Sequence, residues 1–142
     1  MRKPVIISFF IFAFYSCEAP YDTKLIFYNR SDKEIFVKLF TDKHSISDFL
    51  NNNKEAGWDF LGHYLMPDSS ARFPAWYSWE KFIKKLDDKK VYFYVFDADS
   101  FRSYRLGLIG KNNLRYKQFD YNEEELIKAD WIVNNGNISK GR

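Results

Sequence analysis

The sequence predicts an α+β fold: mainly an antiparallel β-sheet, able to close as a small sandwich, with two to four short helices. Three observations carry that expectation. Aromatic residues make up 20% of the 142 residues, with 15 Phe and 10 Tyr, so a chain of one-domain length can build its core from rings. Between residues 24 and 134, several runs rich in β-branched and aromatic side chains alternate with period two. Two other stretches show helical spacing or capping residues, behind Ser78 and at Asn122.

In order along the chain, KLIFYNR (24–30) and KEIFVKLF (33–40) are strand-like, with Ser31 and Asp32 as turn residues between them. Their closeness predicts an antiparallel hairpin. In the second run Ile35, Val37 and Leu39 share one face. Phe36, Lys38 and Phe40 share the other, and the lysine predicts that this face is only partly buried. Residues 41–57 are polar, with Ser45 or Ser47 suited to cap one short helical turn that points Phe49 and Leu50 inward. WDFLGHYLMP (58–67) suggests an irregular strand broken at Gly62, followed by a PDSS turn and a short extended ARFP.

Trp79, Phe82, Ile83 and Leu86 then recur at three- and four-residue spacing, a helix with one apolar stripe. VYFYVFD (91–97) is apolar on both faces, which predicts a central strand covered on both sides. Residues 98–113 should begin as a helix with Phe101, Tyr104 and Leu108 inward, ending near Gly107 and Gly110. LRYKQFDY (114–121) has the lysine-bearing look of an exposed edge strand. Asn122 and Glu125 have capping-box spacing, with Tyr121 and Leu126 placed as a hydrophobic staple. ADWIVNN (129–135) is the expected closing strand.

Charge is uneven. The net charge is +3, but Arg2 and Lys3 precede the first acid, Glu18, and residues 17–142 carry 20 basic against 19 acidic groups. That near-balance gives no electrostatic footprint for nucleic acid. The one cysteine, Cys17, excludes an internal disulfide.

Residues 5–15, VIISFFIFAFY, are uncharged and apolar behind Arg2 and Lys3. A bilayer-spanning helix takes about 20 apolar residues, so this run is too short to span, and its charge and length fit a secretory signal peptide. Ser16 directly precedes Cys17, and this junction resembles the lipobox of bacterial lipoprotein precursors. Phe14 and Tyr15 stand where the usual lipobox has an aliphatic and a small residue. The resemblance implies cleavage before Cys17, a diacylglyceryl group on its sulfur, and lasting attachment to a membrane, since each buried methylene contributes about 0.8 kcal/mol. The expected organisation is a signal peptide over 1–16, a tether over 17–23, one β-rich domain over 24–134 and a tail over 135–142. Glu18 and Asp22 resemble the early acidic residues of surface-exported lipoproteins.

The segments YNRSDKEIFV, VYFYVFDADSFRSY and LRYKQFDYNEEELIKADWIV, in that order, resemble a group of uncharacterised small Bacteroidota lipoproteins. The resemblance implies an extracytoplasmic, outer-membrane lipoprotein facing the periplasm or the cell surface. It brings no activity and no functional residues.

The residues themselves offer little chemistry. Asp97 and Asp99 lack the further acids and the glycine of an EF-hand loop, and Asp99 or Ser100 is better suited to cap the next helix. His44 and His63 are 19 residues apart with no partner at metal-ligand spacing. Neither Ser45 beside His44 nor Ser69 beside Asp68 makes a nucleophile–base set, and no GxSxG elbow occurs. No catalytic residue, metal or cofactor is therefore expected. Trp76, Tyr77 and Trp79 are the candidate ligand-contact rings, set against core packing as the simpler role for Trp. The expected function is a lipid-anchored, non-enzymatic envelope module whose partners are the membrane, through Cys17, and an envelope protein or glycan. A hydrolase-like enzyme with a non-obvious site and a purely structural subunit are the alternatives.

Overall fold

The computed structural model describes residues 21–52 and 62–136. Within them the chain runs β1 (Asp22–Tyr28), β2 (Ile35–Phe40), α1 (Ser45–Asn52), β3 (Gly62–Leu65), β4 (Ser70–Ala75), α2 (Trp79–Lys84), β5 (Lys90–Asp97), α3 (Ala98–Arg105), β6 (Tyr116–Asn122), α4 (Glu123–Lys128) and β7 (Ile132–Asn134). The signal peptide, Cys17 and the residues Trp58 to Leu61 of the expected broken strand lie outside the described residues. β1 starts at Asp22, inside the stretch expected as tether.

The strands form two sheets. One is mixed and three-stranded in the order β4-β1-β7, the other antiparallel and four-stranded in the order β3-β2-β5-β6. They face each other across a core of Leu25 and Phe27 from β1, Phe73 from β4, Val37 from β2 and Phe93 from β5, closed by Trp79, Ile83 and Leu126 of α2 and α4. A second apolar layer lies on the far side of the four-stranded sheet, where Phe36, Tyr94 and Phe96 pack against Phe101 and Tyr104 of α3 and Ile46 of α1. The architecture is therefore a small sandwich with helices over one outer face.

The expected hairpin does not form. β1 pairs with β4 and β7, and β2 pairs with β3 and β5. Burial gives the reason. β1 buries one face fully, through Leu25 and Phe27, and half-buries the other, as an outer sheet requires. All six residues of β2 are buried, so it needs cover on both sides and takes an interior place in the larger sheet. The connection accordingly crosses between layers. The same cover corrects the expectation for the Phe36–Lys38–Phe40 face. Phe36 stacks on Phe101 with centroids 4.0 Å apart, and the buried Lys38 ammonium lies 4.8 Å from the Phe49 ring centroid.

The interlayer crossing is held by one side chain. Asn29 is fully buried, and its Nδ2 donates to the carbonyls of Lys33 (2.8 Å), Leu65 (3.0 Å) and Met66 (3.1 Å). Its Oδ1 accepts from Ser31 N and Oγ and from Asn135 Nδ2, at 3.0, 2.7 and 2.9 Å. Its backbone N–H donates to Ser69 O, and its carbonyl accepts from Asp68 N. One amide thus ties the β1–β2 crossing, the end of β3, the β3–β4 turn and the segment after β7.

β5 is central and buried from Val91 to Phe96, and β6 is an edge of its sheet, both as expected. α2 is capped by Ser78, and α4 carries the full Asn122–Glu125 capping box. Two other caps differ. Asp97, not Asp99 or Ser100, caps α3 by accepting from Ser100 N. Asp42, rather than Ser45 or Ser47, accepts the free N–H groups ahead of α1. A carboxylate offers a stronger acceptor at a helix start than a hydroxyl does. Leu108, expected inward, is exposed, because α3 ends at Arg105 and Gly107 turns the chain away at φ +72°.

α4 ends with two successive residues in the left-handed region, Asp130 at φ 52° and Trp131 at φ 59°. The turn lets Trp131 N bond Leu126 O at 2.8 Å, and brings Trp131 O to Ile26 N at 2.9 Å as β7 starts alongside β1. Each such residue costs about 1 kcal/mol relative to glycine.

Two predictions follow from these junctions. Asp130→Gly should raise the urea unfolding free energy by about 0.5–1 kcal/mol, whereas Trp131→Gly should lower it by about 3 kcal/mol or more because the buried ring is lost; a lowered value for Asp130→Gly would contradict the strain. Asn29→Asp should destabilise more than Asn29→Ala in the same assay, by about 1 kcal/mol or more, since it aims a second acceptor oxygen at three carbonyls.

Candidate functional site

A cleft of about 440 Å³ opens where β2 begins, β5 ends and β6 begins. Its apolar floor is Ile35, Val95, Phe96 and Tyr116. Its rim carries Asp32, Lys33, Glu34, Asp97, Arg115 and Lys117, with Ser31 and Asn135 at the corner. Strand alternation makes this arrangement. Val95 and Phe96 end the buried central strand opposite Lys117 and Tyr116 of β6, so an apolar base meets a charged edge. Asn29 sets the lip, because its amide fixes Ser31, the Lys33 carbonyl and Asn135 together.

The rim acids are largely committed. Glu34 accepts from Arg102 at 2.7 Å, and Arg102 also reaches Asp99 at 3.1 Å. Asp97 caps α3, and the bonds from the Ser100 backbone and hydroxyl hold its carboxyl below the usual range, with help from the Lys33 charge. Arg115 and Lys117 have no ion-pair partner among the described residues. The cleft thus presents Lys33, Arg115 and Lys117 above an apolar floor, with Asp32 as the acid not engaged by a cap or an ion pair. Such a surface suits an anion attached to an apolar or extended group.

The three candidate rings separate. Trp76 and Tyr77 are exposed between β4 and α2, at the other end of β1 from the cleft. Trp79 is not a contact ring: it is 1% exposed, its Nε1 donates to Phe73 O at 3.1 Å, and its ring meets Phe82 edge-on. The helical stripe shared by Trp79 and Ile83 was the sequence signal for that burial. Tyr21, which the sequence did not single out, lies 5.2 Å from Trp76 between ring centroids and is also exposed. Lys85 Nζ stands 4.8 Å from the Tyr77 ring centroid.

Behind these rings lies an ionic cluster. Asp22 accepts from Trp79 N at 2.9 Å and pairs with Lys24 at 3.2 Å, and Lys24 also bonds Glu80. The Lys24 ammonium sits 4.2 Å from the Trp131 ring centroid. Burial opposes charge on Asp22, but the bonds from Trp79, Lys24 and the Lys24 backbone prevail and hold its carboxyl low. The Lys24 bond does the same for Glu80. Asp22 is thus occupied in holding the start of α2.

His63 is half-buried on β3, edge-on to Phe73, and burial lowers its pKa. Its Nε2 has no hydrogen-bond partner among the described residues. His44 is exposed beside Asp42, and no three His, Cys, Asp or Glu side chains gather into a metal-binding group among the described residues. Comparison with protein-family models, curated protein sequences and solved structures found no match.

The Asp22–Lys24–Glu80 cluster makes stability depend on acid. Both carboxyls titrate lower in the folded chain than in the unfolded one, so their contribution is present above about pH 4 and disappears as pH falls through the lowered folded values. Lys24→Met should lower the unfolding free energy at pH 7 and flatten its decline below about pH 4. An unchanged acid slope in urea melts would show that the cluster does not contribute.

Proposed function

We propose that this protein is a lipid-anchored cell-envelope binding module without enzymatic activity, tethered through Cys17 and taking an acidic segment of an envelope protein in the cleft bounded by Lys33, Arg115 and Lys117. The carrying observation is the pairing of unneutralised rim cations, Arg115 and Lys117, with an apolar floor. β6 adds support. It is a sheet edge that also lines the cleft, so an extended peptide can lie along its backbone while its acids meet the rim. A binding role is further supported by the state of Asp97. Its shift is away from neutrality and serves a helix cap, unlike a general acid or base tuned toward working pH. An anionic glycan is the second reading, favoured by the exposed Tyr116 ring at the cleft floor.

Two measurements test the proposal. Mass spectrometry of the membrane fraction should find a chain beginning at diacylated Cys17, and Cys17→Ala should accumulate unprocessed precursor; mature soluble protein from that variant would overturn the anchor. Poly-L-glutamate, used as an acidic polypeptide probe in calorimetry, should bind with salt-sensitive affinity. The double variant Arg115→Glu, Lys117→Glu should weaken that binding by about tenfold or more. Equal binding by the variant would remove the cleft from the account, and preference for an anionic polysaccharide over the polypeptide would favour the second reading.

A further inference from the structure

We propose that Tyr21, Trp76 and Tyr77 form a lipid-contacting patch that seats the domain on the bilayer surface and turns the cleft away from it. The inference rests on the proposed anchor at Cys17 and adds to it a defined face and orientation.

Three amphipathic rings are exposed together at one end of the domain: Tyr21 52%, Trp76 57% and Tyr77 55%. They are displayed from a fixed backbone. Ala75 before them and Trp79 after them are buried, Ser78 caps α2, and Asp22 ties the start of β1 to Trp79 N. Exposed rings held this way are available to an outside surface. Trp and Tyr favour the headgroup layer of a membrane, where the ring meets apolar chains and the polar edge meets water. Lys85 above the Tyr77 ring, and Lys81 exposed on α2, supply positive charge for anionic headgroups.

The length of chain selects the occupant. Three residues, Glu18, Ala19 and Pro20, separate Cys17 from Tyr21, and the stretch spans at most about 14 Å when fully extended. A lipid on Cys17 therefore holds Tyr21 and its neighbour Trp76 within reach of the headgroups. Tethering at that distance makes the local concentration of bilayer surface high, so a contact too weak to recruit a free protein is populated once the chain is anchored. The opposite end of β1 lies about 20 Å further along, where Asn29 holds the lip of the cleft. Seating the patch therefore presents Lys33, Arg115 and Lys117 to whatever approaches from outside the membrane.

The test uses the full chain isolated from membranes, with its N-terminal mass read first. The protein is reconstituted with vesicles of phosphatidylethanolamine and phosphatidylglycerol, with and without brominated acyl chains, and tryptophan emission is recorded. Brominated vesicles should quench the wild-type emission, and Trp76→Phe, at an unchanged urea midpoint, should lose at least half of that quenching. Lipidated protein whose quenching is the same in wild type and Trp76→Phe, or absent from both, overturns the patch and leaves the anchor intact. A Trp76 signal shielded from aqueous iodide but not quenched by bromine also overturns it, in favour of contact between copies of the chain. Chain without lipid on Cys17 that still shows Trp76-dependent quenching overturns the anchor and supports the surface contact; chain with neither overturns both.

Discussion

The fold depends on how a short crossing passes from one sheet to the other, and Asn29 is the group that makes the crossing possible. Asn29 is the buried residue of that crossing, and a polar group that water cannot reach costs about 1–3 kcal/mol when left unpaired. The Asn29 side chain answers the Lys33, Leu65 and Met66 carbonyls with its amide N–H groups and the Ser31 and Asn135 donors with its oxygen. No apolar residue could do this, and Asp would supply only the accepting half. The same amide positions one corner of the cleft, so the joint between sheets and the shape of the candidate site have a common origin.

Around that joint, the inner strands of the four-stranded sheet, β2 and β5, are buried on both faces. One face meets the smaller sheet and the other meets α1 and α3, which explains the aromatic content. Phe93 packs edge-on toward Phe73 across the sandwich, while Phe96, its near neighbour in the same strand, packs on Phe101 on the helical side. Each ring layer buries a large apolar area with few rotatable bonds, so a domain of this size holds two apolar layers. Tyr94, pushed up to about 12 by burial and bonded to Gln118, closes the helical layer without leaving its hydroxyl unpaired.

Much of this was legible in the sequence where local physics decides. The α4 capping box, the helix behind Ser78 and the two-sided burial of β5 are set by residues adjacent in the chain, and they stand as expected. The pairing of β1 was not legible, because turn spacing favours a hairpin and the choice of β4 and β7 as neighbours is made by long-range burial. In the sequence Asn29 belongs only to the strand-like run 24–30; its role needs carbonyls from residues 33, 65 and 66 to converge. The three candidate rings divide by burial. Trp76 and Tyr77 are exposed as contact rings must be, Trp79 is core, and Tyr21 joins them only through the pairing of β1 with β4. The cleft was missed because Lys33 and Arg115 lie far apart in sequence, and only the order β2-β5-β6 brings them to one rim.

One buried amide, that of Asn29, joins the two sheets and the lip of the cleft. Native-state hydrogen exchange at the Ser31 and Asp68 amides, which bond Asn29 Oδ1 and Asn29 O, measures this directly, with the Phe93 amide in the central strand as reference. If that joint makes the sheets and cleft one cooperative unit, Ser31 and Asp68 should exchange only through global opening, with the same free energy as Phe93. Exchange at those two amides through a local opening of much lower free energy, while Phe93 stays protected, would contradict it.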